Sequence, residues 1–126
     1  MKVVIFIAIG GMFGALSRYY LGQQVIKYFG YYFPLQTIII NVIGSFLIGL
    51  IFEISRTKFS LNEELRLLIM VGFLGSFTTF SAFTLDFFLL IEREEILLSF
   101  MYIVVSVMIS ILAMWLAIWF VRSVII

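Results

Sequence analysis

Between Gly72 and Thr84 the chain packs glycines, hydroxyls and phenylalanines into a segment otherwise apolar enough to cross a bilayer. Glycine weakens a helix and Ser/Thr hydroxyls compete for backbone groups, so an unwound turn is expected there. At membrane depth such a turn is tolerated only when it is buried in protein or lines a cavity. Broken helices of this kind point to transport sites. Within the run, Phe80 and Phe83 are three apart and share a helical face if the helix resumes after Thr79. In a chain with 15 phenylalanines the ordinary role of such a pair is packing; the other is electrostatic, because ring edges carry partial positive charge and could replace some hydration of a small anion.

Three further sets of residues bear on the same chemistry. Asn41 stands among isoleucines and valine in the second apolar segment, where a carboxamide is costly unless hydrogen-bonded. It either bonds a neighbouring helix or offers uncharged N–H donors to a desolvated anion. Tyr102, Ser106 and Ser110 follow at i+4 spacing, one polar line that either packs helices or forms a hydroxyl track, and Met114 ends it. Arg18 closes the first segment, where it either snorkels to the interface or sets a positive potential at an anion vestibule.

Composition excludes much other chemistry. The 126 residues are 64% hydrophobic and 12% charged, with no His, no Cys and one Pro. A mean hydropathy of +1.24 marks an integral membrane protein. Thiolate nucleophiles, disulfides, His-based triads and the common zinc or haem sets are absent, so no enzyme is expected. A net charge of +1 gives no argument for nucleic acid. The six glutamates lie at or outside the ends of the apolar segments, and Asp86 falls toward the end of the third.

The elements that must position these residues are four spans in one domain covering 1–126, at about 3–28, 35–54, 62–91 and 96–122. Each meets the ~20 residues needed to cross a ~30 Å core. Three spans following the first, and the Gly- and Arg-containing end of that first segment, argue against a cleaved leader. Tyr28, Tyr31 and Tyr32 make an interfacial belt, and Ser60 to Glu63 has capping-box spacing for the third span. The third span is long for one straight crossing, and the break is placed near Gly72, Gly75 and Thr78-Thr79. Gly10 and Gly14 form a G-x-x-x-G, read first as close helix packing. With the N-terminus inside, Lys2, Arg56, Lys58, Arg66 and Arg122 oppose Arg18, Lys27 and Arg93. Five against three is a bias weak enough to permit insertion both ways.

Gly10-Gly11 through Arg18-Tyr19, Thr37 with Asn41 and Gly44-Ser45-Phe46, and the run from Gly72 to Phe83 together closely resemble the Fluc (CrcB-type) fluoride channels. The resemblance covers nearly the whole chain. It implies an all-α four-span protomer with a broken third helix, paired as an antiparallel, dual-topology homodimer in the inner (plasma) membrane, exporting fluoride passively to relieve its toxicity. By position, Asn41, Phe80, Phe83, Ser106, Ser110 and Tyr102 would line the fluoride pore and Arg18 a vestibule. Backbone carbonyls of Gly75 and Thr78 would hold a structural Na⁺ at the dimer centre. Gln36, Ser76 and Ala82 depart from residues common in that family, and Met114 lacks the hydroxyl often found further along the track.

Two rivals remain from the residues alone. A small proton-coupled drug antiporter would need a carboxylate within the first span, and none is there. A non-transporting assembly subunit would use Gly10, Gly14 and Gly44 for packing only.

Overall fold

The computed structural model describes residues 1–56 and 61–124. They form helices α1 (Lys2–Phe29), α2 (Leu35–Arg56), α3 (Glu63–Arg66), a π-helical stretch (Leu67–Leu74), α4 (Gly75–Phe77), α5 (Phe80–Glu92) and α6 (Ile96–Val124). From Glu63 to Glu92 the segments make one interrupted span, so four helices are long and apolar enough to cross a membrane. In the π stretch the turns are wider, and the Gly75 N–H reaches back five residues to the Met70 carbonyl.

Local chemistry sets the ends. Gly30, at φ 77°, stops α1 in a conformation L side chains rarely adopt, and its N–H bonds the Ile26 carbonyl at 2.8 Å. Asn62 caps α3 by accepting from the Leu65 N–H at 2.9 Å, in place of the capping box expected from Ser60, which lies outside the described residues, as does Lys58. Three residues, Arg93 to Glu95, join α5 to α6, and the two helices pack together as an antiparallel hairpin.

Packing pairs α1 with the interrupted span, α2 with α6, and α5 with α6. Glycine permits the closest of these contacts. A Cβ on Gly72 would sit 2.6 Å from the Ile7 carbonyl oxygen, and those on Gly10 and Gly14 would strike the Leu68 and Phe73 carbonyls. The small-residue reading of Gly10 and Gly14 therefore holds, with the third span as the partner.

Polar ties hold both ends. The Tyr32 hydroxyl donates to Glu95 Oε1 at 2.6 Å and Arg93 Nη1 to the Tyr32 carbonyl at 3.3 Å, joining the two connections at one end. At the other, Arg122 donates through Nε and Nη2 to the two oxygens of buried Glu53, at 2.9 and 3.2 Å. Elsewhere the outer surface is strongly apolar, as lipid requires.

Candidate functional site

The helix breaks at Thr78 and Thr79, whose φ/ψ of −77°/159° and −151°/125° are extended. This is narrower than the expected break near Gly72, Gly75 and Thr78-Thr79, because the helix continues past both glycines and through Phe77. The reason lies in the two threonines. Thr78 turns its hydroxyl back to the Leu74 carbonyl at 2.8 Å, closing the last turn of α4. Thr79 instead caps α5, its Oγ1 accepting from the Ala82 N–H at 3.2 Å.

Each rerouted donor releases a carbonyl. In an unbroken helix the Thr79 N–H would bond the Gly75 carbonyl, and the Ala82 N–H that of Thr78. Here the first goes to Asn41 Oδ1 at 2.8 Å and the second to the Thr79 side chain. Asn41 Nδ2 also donates to the Thr79 carbonyl at 3.0 Å. Gly44, one turn along α2, lets the break come this close: a Cβ there would collide with the Thr78 methyl.

Beside the break lies an open cavity of about 410 Å³. Asn41, Thr79, Phe80, Phe83, Ser106 and Ser110 all border it, as do Gly75 and Thr78. The fold thus brings together five of the six residues expected to line a pore. Ser106 Oγ is buried, with no hydrogen-bond partner among the described residues. Phe80 and Phe83 have ring centroids 5.4 Å apart, yet Phe83 is 8% exposed and Phe80 74%. Hence the cavity has a finished wall on one side and an open one on the other.

Tyr102 is the sixth, and it stands behind the wall. Fully buried, it packs its ring 5.3 Å from that of Phe83 and 5.8 Å from that of Phe33. Its hydroxyl donates to Asp86 Oδ2 at 3.0 Å, and Thr37 Oγ1 donates to the same oxygen at 2.6 Å. A carboxylate inside the bundle, between α2, α5 and α6, thus holds the ring that backs Phe83.

Asp86, placed by the sequence only toward the end of the third span, thus joins the site. A signal existed for one of its partners: Asp86 lies six residues before the end of α5 and Tyr102 six into α6, at equal depth from the short connection that joins them, whereas Thr37, two residues into α2, shares no such depth. Arg18, expected at a vestibule, reaches the break, with Nη1 donating to the Thr78 carbonyl at 3.5 Å, a long and weak contact. Among the described residues no group of three or more His, Cys, Asp and Glu could hold a metal ion.

Four spans around a cavity whose described lining residues are uncharged, with Asn, Ser and Thr side chains among phenylalanines and aliphatic residues, define a small multi-pass membrane protein. Sequence comparison gives the family: residues 5–118 match the model of CrcB-like protein, Camphor Resistance (CrcB), and the chain belongs to that family. It is 47% identical over 107 residues to the fluoride-specific ion channel FluC of Rhizobium leguminosarum bv. trifolii, spanning 85% of this chain and 86% of that one. Identity to the proteins of the same name from Geotalea uraniireducens and Geobacter sp. strain M21 is 42% over 118 residues and 39% over 123, the latter covering 98% of this chain and 99% of that one.

Proposed function

We propose that this chain is a fluoride-selective channel that lets fluoride leave the cytoplasm passively across the plasma membrane, relieving its toxicity. The observation that carries the reading is the cavity beside the break, where Asn41, Phe80, Phe83, Ser106 and Ser110 from three helices meet with no ionised side chain on the wall. Fluoride is small and strongly hydrated, so a path must replace its water with donors while binding too weakly to trap it. Neutral amide, hydroxyl and ring-edge groups meet both demands. The names of the relatives agree.

The working unit in this reading is an antiparallel homodimer. In lipid, the open side of the cavity would leave half-buried Ser110 and the released carbonyls beside hydrocarbon, which is costly. A second copy laid across exposed Phe80 and Gly75 would close it. The weak charge bias permits the inverted insertion this needs.

Gly75 and Thr78 would hold a Na⁺ at the dimer centre, because theirs are carbonyls whose helical donors have been drawn away, that of Thr78 keeping only the long contact from Arg18 which the ion would have to displace, and a hard cation takes neutral oxygens. When bound, the ion would supply positive charge that holds the two breaks together. Around it, Asn41 and Thr79 keep the break extended, and Gly44 lets α2 approach.

Fluoride efflux from liposomes holding purified protein, run beside chloride, tests the reading. Rapid fluoride loss with chloride retained is expected. Absence of fluoride efflux from intact dimer would overturn it.

A further inference from the structure

We propose that Asn41 is a positioning residue that holds the third span open, acting as a piece of backbone in place of the helix Thr79 has left. Both of its polar atoms are spent on one residue: Oδ1 accepts the Thr79 N–H at 2.8 Å, and Nδ2 donates to the Thr79 carbonyl at 3.0 Å. That is the paired N–H and C=O exchange that one strand residue makes with another. It answers the two backbone groups that an extended residue at membrane depth cannot leave unpaired.

The pair also fixes the amide's orientation. Turned over, the carboxamide would set NH₂ against N–H and oxygen against carbonyl, so Oδ1 and Nδ2 can occupy only the positions they hold. One Nδ2 hydrogen is committed to Thr79, leaving the second as the only donor Asn41 can offer the cavity it borders. The amide is therefore presented at a set angle rather than as a free rotor.

Three consequences run through this one side chain. By drawing off the Thr79 N–H, Asn41 releases the Gly75 carbonyl. By keeping Thr79 extended, it leaves the Thr79 hydroxyl in place to start α5, and so sets where Phe80 and Phe83 emerge. By approaching across Gly44, it ties α2 to the break. The clamp stands on these contacts alone, whereas its effect on flux rests on the fluoride-path reading.

Solid-state NMR of the labelled full chain in liposomes tests the proposal, with fluoride efflux measured on the same samples. In Asn41→Ala the Thr79 amide proton is expected to move upfield, as its acceptor is lost, and efflux to be lost with it. Asn41→Asp retains an acceptor oxygen and is expected to return the Thr79 amide toward its native shift. A Thr79 amide unmoved in Asn41→Ala, whatever the flux, would overturn the clamp and leave Asn41 as an anion donor only. If the native protein passes no fluoride but Thr79 responds as described, the clamp stands and the channel reading falls. Dipolar recoupling between Asn41 Nδ2 and the Thr79 carbonyl carbon in the native protein decides the matter should Asn41→Ala fail to fold: close contact supports the clamp, and no contact overturns it.

Discussion

Replacing Tyr102 with Phe separates two roles for its hydroxyl, because the ring that backs Phe83 stays while the bond to Asp86 goes. If the hydroxyl served ions, Tyr102→Phe would cost flux and little stability. With the hydroxyl spent on a carboxylate behind the wall, the reverse is expected. A hydrogen bond to a charged group contributes ~1.5–3 kcal/mol, and Asp86 would keep only its bond from Thr37. A loss of ~2 kcal/mol, or about thirtyfold in the unfolding equilibrium, follows. An SDS titration of purified protein reads it, and liposome efflux reads the flux. Pairing Tyr102→Phe with Asp86→Leu closes a double-mutant cycle, in which direct contact should give a coupling of ~0.5–3 kcal/mol. Unchanged stability with abolished flux would refute the assignment and return Tyr102 to the pore.

Other substitutions probe the remaining features. Ser106→Ala removes a buried hydroxyl that has no hydrogen-bond partner among the described residues, so stability should hold or rise slightly in the same titration while fluoride efflux slows. Phe83→Ile keeps an apolar wall and removes the ring edge; efflux should fall sharply with the protein still folded, and unchanged flux would dismiss the ring-edge argument. Gly14→Val would drive side-chain atoms into the Phe73 carbonyl, and a cost of at least ~1–3 kcal/mol should appear as reduced yield of folded protein by size-exclusion chromatography. At the loop end, Glu95 beside the Tyr32 hydroxyl raises its pKa above the ordinary 10.0. A raised pKa means that the tie is complete below pH 10 and is lost as pH rises through the higher value, so the phenolate absorbance missing from Tyr32→Phe should be one that develops above pH 10.

Four spans could be read from hydropathy because lipid demands uninterrupted apolar length, and the third announced its break because glycines and threonines sat where only apolar helix formers were needed. The site was legible where a residue violated its surroundings, as Asn41 did. What stayed hidden was direction. A tyrosine on a helical line with two serines reads as a third member of a track, and spacing alone cannot say that its ring is fully buried behind Phe83. Asp86 was hidden for a similar reason: its partners lie 49 and 16 residues away, and only the bundle brings Thr37 and Tyr102 onto one oxygen. Arg18 shows the converse, since a cation near a span end looks interfacial until its length carries the guanidinium to the Thr78 carbonyl.

These placements share a logic of charge. Among the described residues none that borders the cavity carries a full charge: Asp86 lies behind its wall with two hydroxyls on one oxygen, Glu53 pairs with Arg122, and Arg18 meets the break through one long contact with the Thr78 carbonyl. The magnitude explains why that matters for a channel. A unit charge ~4 Å from an ion contributes ~4 kcal/mol at an effective dielectric near 20. For an attractive cation, that would lengthen the dwell of a small anion about a thousandfold; for an uncovered carboxylate, it would raise a barrier as high. Hydroxyls and ring edges act through partial charges, and their attraction can be summed over several neighbours without any one site becoming a trap. Tyr102 and Thr37 both donate to Asp86 behind the wall that Phe83 presents, and because Tyr102→Phe leaves the Thr37 bond and the ring in place, the lining of the path is expected to stay as it is while stability falls.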